Sequence, residues 1–152
     1  MNDQSTDAVI HEVEYPHPIA IVWRAIAEQE AISEWLMKTD FKPQVGKKFT
    51  LTDPDAQGWS GVVECEVLEV DKPRRLSYTW TYGSDLVTTV TFDLEPVGGG
   101  TRLRLEQSGF DAAGEQSQYF RKGADYGWGQ KFLKTTLPRA VARLAAAEPI
   151  RQ

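Results

Sequence analysis

The chain has 152 residues, of which 41% are hydrophobic and 26% are charged, and its formal net charge is -5. This length suits one domain with one core, and the composition excludes the disordered and membrane-spanning classes. The acidic balance and the scattered basic residues argue against a nucleic-acid partner, because phosphate binding needs a clustered basic surface. We therefore predict a single domain over residues 1–152, with its core at about 8–147.

The cysteine content and the first residues indicate a reducing compartment. Cys65 is the single cysteine, so no internal disulfide forms. The segment MNDQSTDAVI lacks the basic start and apolar stretch of a secretory signal, and no apolar run approaches the ~20 residues that span a bilayer. These features predict a cytoplasmic protein without membrane insertion.

The first part of the chain predicts one strand followed by two short helices. AVIHEVEY (residues 8–15) alternates as a strand does, and Pro18 suits the first turn of a helix. The apolar face of the first helix is formed by Ile19, Val22, Trp23 and Ile26. The apolar face of the second is formed by Ala31, Ile32, Trp35 and Leu36.

Five further segments predict strands. The short turns between them predict an antiparallel sheet with one face exposed to solvent. The segments are KKFTLTD, GWSGVVECEVLEVD, RLSYTWTY, DLVTTVTFDLEP and TRLRLEQSGF. Tyr78 and Trp80 share one face of their strand, as do Thr88 and Phe92 on the next. If the leucines of the last strand face inward, then Gln107 does so too.

Residues 111–125 give no clear pattern beyond a helical turn around residues 118–121, and a long helix follows from about Asp125 to Ala147. Its core seam is formed by Leu133, Leu137, Ala140, Val141 and Leu144. Trp128, Phe132 and Thr136 lie to one side of that seam. Pro138 predicts a kink, since proline removes a helical hydrogen bond. The part before the kink would then arch away from the sheet.

The order of elements predicts an α+β fold, in which a six-stranded antiparallel sheet packs against a long C-terminal helix. Aromatic rings with polar tips on the inner face are typical of a pocket for a small apolar molecule. The residues expected to line this internal cavity are Trp35, Phe49, Trp59, Tyr78, Trp80, Phe92, Gln107, Trp128 and Phe132. The alternative is a bent helix that follows a twisted sheet over a filled core.

The sequence resembles the START/Bet v 1-like (SRPBCC) superfamily, and within it the bacterial homologues of the activator of the heat-shock-protein-90 ATPase. The resemblance rests on PIAIVWRAIAEQEAISEWL, FKPQVGKKFTL, VLEVDKPRRLSYTW, GGGTRLRLEQSGF and Gly127-Trp128. It implies the helix-grip fold, a curved sheet wrapped around the C-terminal helix with a hydrophobic cavity between them. Members bind lipids, sterols or polyketides, and some are cyclases or hydrolases.

Few residues suggest chemistry. His11 and His17 are the candidate acid–base groups, and Cys65 is expected to pack as a small apolar side chain. No spacing predicts a zinc site, and we expect neither metal nor cofactor. Catalytic residues stay unknown, with Tyr78, Gln107 and Tyr126 as the groups to test if the protein is an enzyme.

Three functions are compatible with these observations. The first is binding of a small hydrophobic or aromatic ligand, lipid-like or polyketide-like, in the internal cavity. The second is a cyclase or hydrolase that acts on such a molecule. The third is a co-chaperone or stress-response interaction module, which would expose an apolar patch. The sequence leaves open whether the chain is a monomer or a homodimer.

Overall fold

The computed structural model describes residues 8–83 and 85–147, so both ends of the predicted domain lie outside the described residues. The strands are β1 (Val9–Tyr15), β2 (Lys38–Thr39), β3 (Lys48–Thr52), β4 (Val62–Asp71), β5 (Arg75–Tyr82), β6 (Leu86–Val97) and β7 (Gly100–Ser108). The α-helices are α1 (Ile19–Ala27), α2 (Gln29–Trp35), α3 (Ser117–Tyr126) and α4 (Leu137–Ala147). No helix within these ranges is both long and apolar enough to cross a lipid bilayer.

The strands form one curved, unclosed sheet in the order β1-β7-β6-β5-β4-β3-β2, and all neighbours are antiparallel. The predicted α+β helix-grip fold is confirmed, with one strand more than the six predicted. The additional strand is β2, which pairs Lys38 with Thr52 and Thr39 with Leu51. Two residues are too few to show the alternation that identifies a strand in a sequence.

The terminal helix is longer than predicted and has four segments. A 3-10 helix (Phe110–Gln116) leads into α3, and a π-helix (Gly127–Thr136) joins α3 to α4. The segment that gave no clear pattern is therefore helical. Tyr119 and Tyr126 of α3 are exposed, so this helix lacks the regular apolar stripe that would have identified it.

The core lies between the sheet and the helices, and its inner rows are those that the alternation predicts. The buried inward residues of β6 are Leu86, Thr88, Val90, Phe92 and Leu94. Leu103, Leu105 and Gln107 of β7 are completely buried. The predicted seam of the terminal helix, from Leu133 to Leu144, is buried as well.

Candidate functional site

Eight aromatic rings occupy the space between the sheet and the terminal helix, and we call them the aromatic cluster. They are Trp35, Phe41, Phe49, Tyr78, Trp80, Phe92, Trp128 and Phe132. Neighbouring centroids lie 5.0 to 6.5 Å apart, a range in which aromatic rings attract one another. The rings thus pack against one another, and the internal cavity stays a prediction.

Trp128 is the centre of the aromatic cluster. Its ring centroid lies 5.5 Å from that of Trp80, 5.4 Å from Phe132, 6.0 Å from Phe92 and 6.4 Å from Trp35. Trp128 is buried, whereas Phe132, one helical turn further along, is only half-buried. The indole of Trp128 therefore connects the sheet with the rim of the cluster.

A network of neutral polar groups borders the aromatic cluster and centres on the buried amide of Gln107. Its nitrogen donates to the hydroxyl oxygens of Thr88 at 2.9 Å and Tyr82 at 3.3 Å. Its oxygen accepts from the indole N–H of Trp128 at 2.8 Å. The Thr88 hydroxyl in turn donates to the carbonyl of Trp80 at 2.7 Å. This network fixes the orientation of Trp128 relative to the sheet.

The π-helix places Trp128 and Phe132 over the sheet, and it accommodates Pro138. The N–H of Leu137 donates to the carbonyl of Phe132, five residues earlier. In this register the carbonyl of Leu133 faces Pro138, which has no N–H to donate. The hydroxyl of Tyr15, on β1, donates to that carbonyl at 2.6 Å. The irregularity predicted at Pro138 thus begins eleven residues earlier, at Gly127, as a change in helical register.

A crevice with a volume of about 230 Å³ opens beside the aromatic cluster. It is lined by Ser33, Leu36, Met37, Lys38, Thr52, Asp53, Pro54, Lys131 and Phe132. Phe132 also packs against Trp35 and Trp128 inside the cluster. Phe132 therefore belongs to both the wall of the crevice and the aromatic cluster.

The polar side chains that lie completely buried on the inner face of the sheet are neutral. They are Thr88, Thr101 and Gln107, whereas the buried Ser77 lies on the opposite face of β5 and contacts Thr91. Burial raises the pKa of Tyr78 well above its usual value, so its phenol stays neutral. The described ranges also hold no group of three or more metal-ligating side chains. The arrangement can therefore hold and orient a molecule through neutral contacts.

The predicted acid–base groups lie away from this interior. His11 on β1 pairs with Asp125 at 2.8 Å, and its imidazole packs directly on the backbone of Gly129. His17 is half-buried before α1, and its backbone carbonyl accepts from the hydroxyl of Thr101 at 2.8 Å. The histidine on β1 therefore ties an edge strand to the π-helix.

Eight of the nine predicted lining residues come together in the aromatic cluster and the Gln107 network. Trp59 is the exception: it is 47% exposed in the loop between β3 and β4, whose Asp53 and Pro54 line the crevice. Phe41 and Met37 were not predicted. Both lie between regular elements, where no periodic pattern indicates which way a side chain points.

Residues 16–137 match the family described as "Activator of Hsp90 ATPase homolog 1-like protein". Protein MLL2253 from Mesorhizobium loti, known from a crystal structure, is 36% identical, with 94% of this chain and 99% of that chain covered and a TM-score of 0.74. Protein BH1534 from Bacillus halodurans, solved in solution, is 28% identical over 88% and 95% of the two chains, with a TM-score of 0.70.

A third similar structure is an HSP90 activator from Plasmodium falciparum, which is 22% identical over 84% of this chain and 91% of that chain, with a TM-score of 0.69. At this identity the similarity demonstrates a shared fold. Among curated proteins none matches the chain. The family match covers most of the sequence, and the superfamily resemblance found in the sequence is confirmed. This chain belongs to the family of Activator of Hsp90 ATPase homolog 1-like proteins.

Proposed function

We propose that this protein binds a small hydrophobic or aromatic molecule in the space shared by the crevice and the aromatic cluster. The observation that carries the proposal is the position of Phe132, which lines the crevice and packs against Trp35 and Trp128. The proposed contacts are Trp35, Phe49, Tyr78, Trp80, Phe92, Gln107, Trp128 and Phe132.

The volume of the crevice indicates that Phe132 has to move. About 230 Å³ is less than the ~300–1,000 Å³ of most small-molecule pockets. Phe132 is half-buried, and the ammonium of Lys131 lies 5.2 Å from its ring centroid. If the phenyl ring turns outward, a ring of the ligand can replace it against Trp35 and Trp128. The ligand then packs on Trp35 and Trp128, the two indoles that Phe132 covers when no ligand is bound.

Burial of apolar ligand surface would drive such an exchange. About 200 Å² contributes about 5 kcal/mol, and the costs of immobilising the ligand and of exposing the Phe132 ring are subtracted from it. The π-helix that carries Phe132 also supports the proposal, because π-helical turns are rare and occur frequently at functional sites.

The chemistry of the interior favours binding over acid–base catalysis. Of the groups to be tested for an enzyme, Tyr78 is held neutral by burial and Gln107 does not titrate. Tyr126 is 68% exposed at the end of α3. A cyclase or hydrolase that relies on proton transfer needs a group with a pKa near the working pH within reach of its substrate.

The test compares the wild-type protein with a Phe132→Ala variant, with tetralin and 1-tetralone as probes. We expect both probes to raise the melting temperature and to change tryptophan fluorescence. The variant should bind tetralin about fivefold or more tightly, because no ring has to be displaced. Val45→Ala, at a side chain that is 68% exposed, is the matched control and should bind like the wild type. Absence of binding to both the wild type and Phe132→Ala would refute the proposal.

Contact with a chaperone of the Hsp90 class is a second candidate, which the family description and one surface favour. Tyr119 and Tyr126 are 73% and 68% exposed and lie seven residues apart, so they share one face of α3. We expect a double substitution of both tyrosines by serine to abolish any stimulation of a bacterial Hsp90 ATPase. An ATPase rate that the wild-type protein leaves unchanged would exclude this function.

A further inference from the structure

One buried donor in the aromatic cluster has no acceptor. The indole nitrogen of Trp80 is inaccessible to solvent and has no hydrogen-bond partner within the described part of the chain. The whole residue is only 6% exposed. By contrast, the indole N–H of Trp35 donates to the carbonyl of Ala25 and that of Trp128 donates to Gln107, both at 2.8 Å. Buried tryptophans normally find such a partner, so the exception at Trp80 needs an explanation.

The neighbouring polar groups are already occupied by one another. The amide oxygen of Gln107 accepts from Trp128, and its nitrogen donates to Thr88 and Tyr82. The hydroxyl of Thr88 donates to the carbonyl of Trp80 itself. The network therefore satisfies the backbone of Trp80 and leaves its indole N–H as a surplus donor. A molecule that completes the site has to bring an acceptor.

We infer that the ligand of the proposed site carries a neutral oxygen acceptor, such as a ketone or quinone carbonyl, which the indole N–H of Trp80 binds. This inference rests on the proposed function and specifies the class of ligand. A carboxylate is disfavoured as the acceptor, because the rings that contact Trp128 and the partners of Gln107 carry no charge, and an unpaired buried anion is costly. A carbonyl group on an aromatic or fused-ring body satisfies both the donor and the apolar surroundings.

Trp128 contacts both groups that the inference involves. Its ring centroid lies 5.5 Å from that of Trp80 and 5.4 Å from that of Phe132. The inference requires a ligand that replaces the ring of Phe132 against Trp128 and is long enough to reach the indole N–H of Trp80. We choose 1-tetralone, two fused six-membered rings with a carbonyl group, as the simplest probe.

The test measures dissociation constants for 1-tetralone and for tetralin, which lacks the carbonyl, on the wild type, Trp80→Phe and Trp59→Phe. The hydration of the free probes is the same in every experiment, so it cancels when this ratio is compared between the three proteins. We expect the preference for the ketone to fall about tenfold in Trp80→Phe, equivalent to about 1.4 kcal/mol. Trp59→Phe removes an exposed indole and should leave the ratio unchanged.

A second measurement uses the wild-type protein alone, so it does not depend on the folding of a variant. In spectra of protein labelled with ¹⁵N at its indoles, 1-tetralone should move the Trp80 N–H proton downfield and tetralin should not. Suppose that both probes bind, but the ratio of their dissociation constants is the same in all three proteins or the Trp80 N–H responds to neither probe. The inference is then overturned, while the proposed function stands. If neither probe binds, both fail.

Discussion

Tyr15→Phe tests how the terminal helix accommodates Pro138. The substitution removes only the hydroxyl that donates to the carbonyl of Leu133 at 2.6 Å. Tyr15 is 5% exposed, so water has little access to replace the missing donor. A buried carbonyl without a partner costs about 1–3 kcal/mol. For a chain of this size that cost lowers the melting temperature by about 2–12 °C.

The assay is urea unfolding of a double-mutant cycle with Pro138→Ala. Alanine restores an N–H at position 138, which gives the helix a donor of its own for its carbonyls. Tyr15→Phe should then cost at least about 1 kcal/mol less than it does beside proline. Tyr126→Phe, at an exposed ring, serves as control and should change stability by less than about 0.5 kcal/mol. An equal cost in both backgrounds would refute the link between Tyr15 and the missing proline N–H.

Three further predictions concern packing and titration. Gly129→Ala should lower the free energy of unfolding in urea by about 1–3 kcal/mol, because its methyl group would lie 2.7 Å from Cε1 of His11. The control Gly123→Ala meets no atom within 4 Å and should be neutral or stabilising by up to about 1 kcal/mol. Burial raises the pKa of the Cys65 thiol, so a thiol reagent should label it only after unfolding, and rapid labelling of the native protein would contradict this. Burial raises the pKa of Tyr82 to about 12, above its unfolded value of 10.0, so between these two pH values the unfolded chain binds fewer protons than the folded one. The free energy of unfolding should therefore fall as the pH rises through this range. Tyr82→Phe should reduce that fall when unfolding is compared at about pH 9 and pH 11.

The sheet could be predicted from the sequence because inward and outward residues alternate along most of its strands. Leu103, Leu105 and Gln107 are i, i+2 and i+4 on β7, so the two leucines determine the orientation of the amide. The same alternation places Tyr78 and Trp80 on the inner face. A strand of only two residues, such as β2, is too short to alternate, and the seventh strand was not predicted.

The partners within the candidate site could not be predicted, because they depend on distances between elements that are far apart in the chain. Nothing near Trp128 in the sequence indicates that its N–H meets Gln107, 21 residues earlier. Pro138 indicated an irregular helix, but the donor that repairs the irregularity, Tyr15, is 118 residues from its acceptor. The periodicity of the sequence predicts on which face of a helix or strand a residue lies. Its hydrogen-bond partner depends on how the elements pack against one another.

Two irregular features of the interior differ in how they are satisfied, and the difference supports the proposed site. At Pro138 the backbone lacks a donor, and the chain supplies one from Tyr15, so this part of the helix is complete by itself. At Trp80 the indole N–H is a buried donor, and no described residue supplies an acceptor for it. This donor belongs to the ring that contacts Trp128, and Trp128 in turn contacts the half-buried Phe132. The proposed ligand would supply the acceptor there and so complete the core.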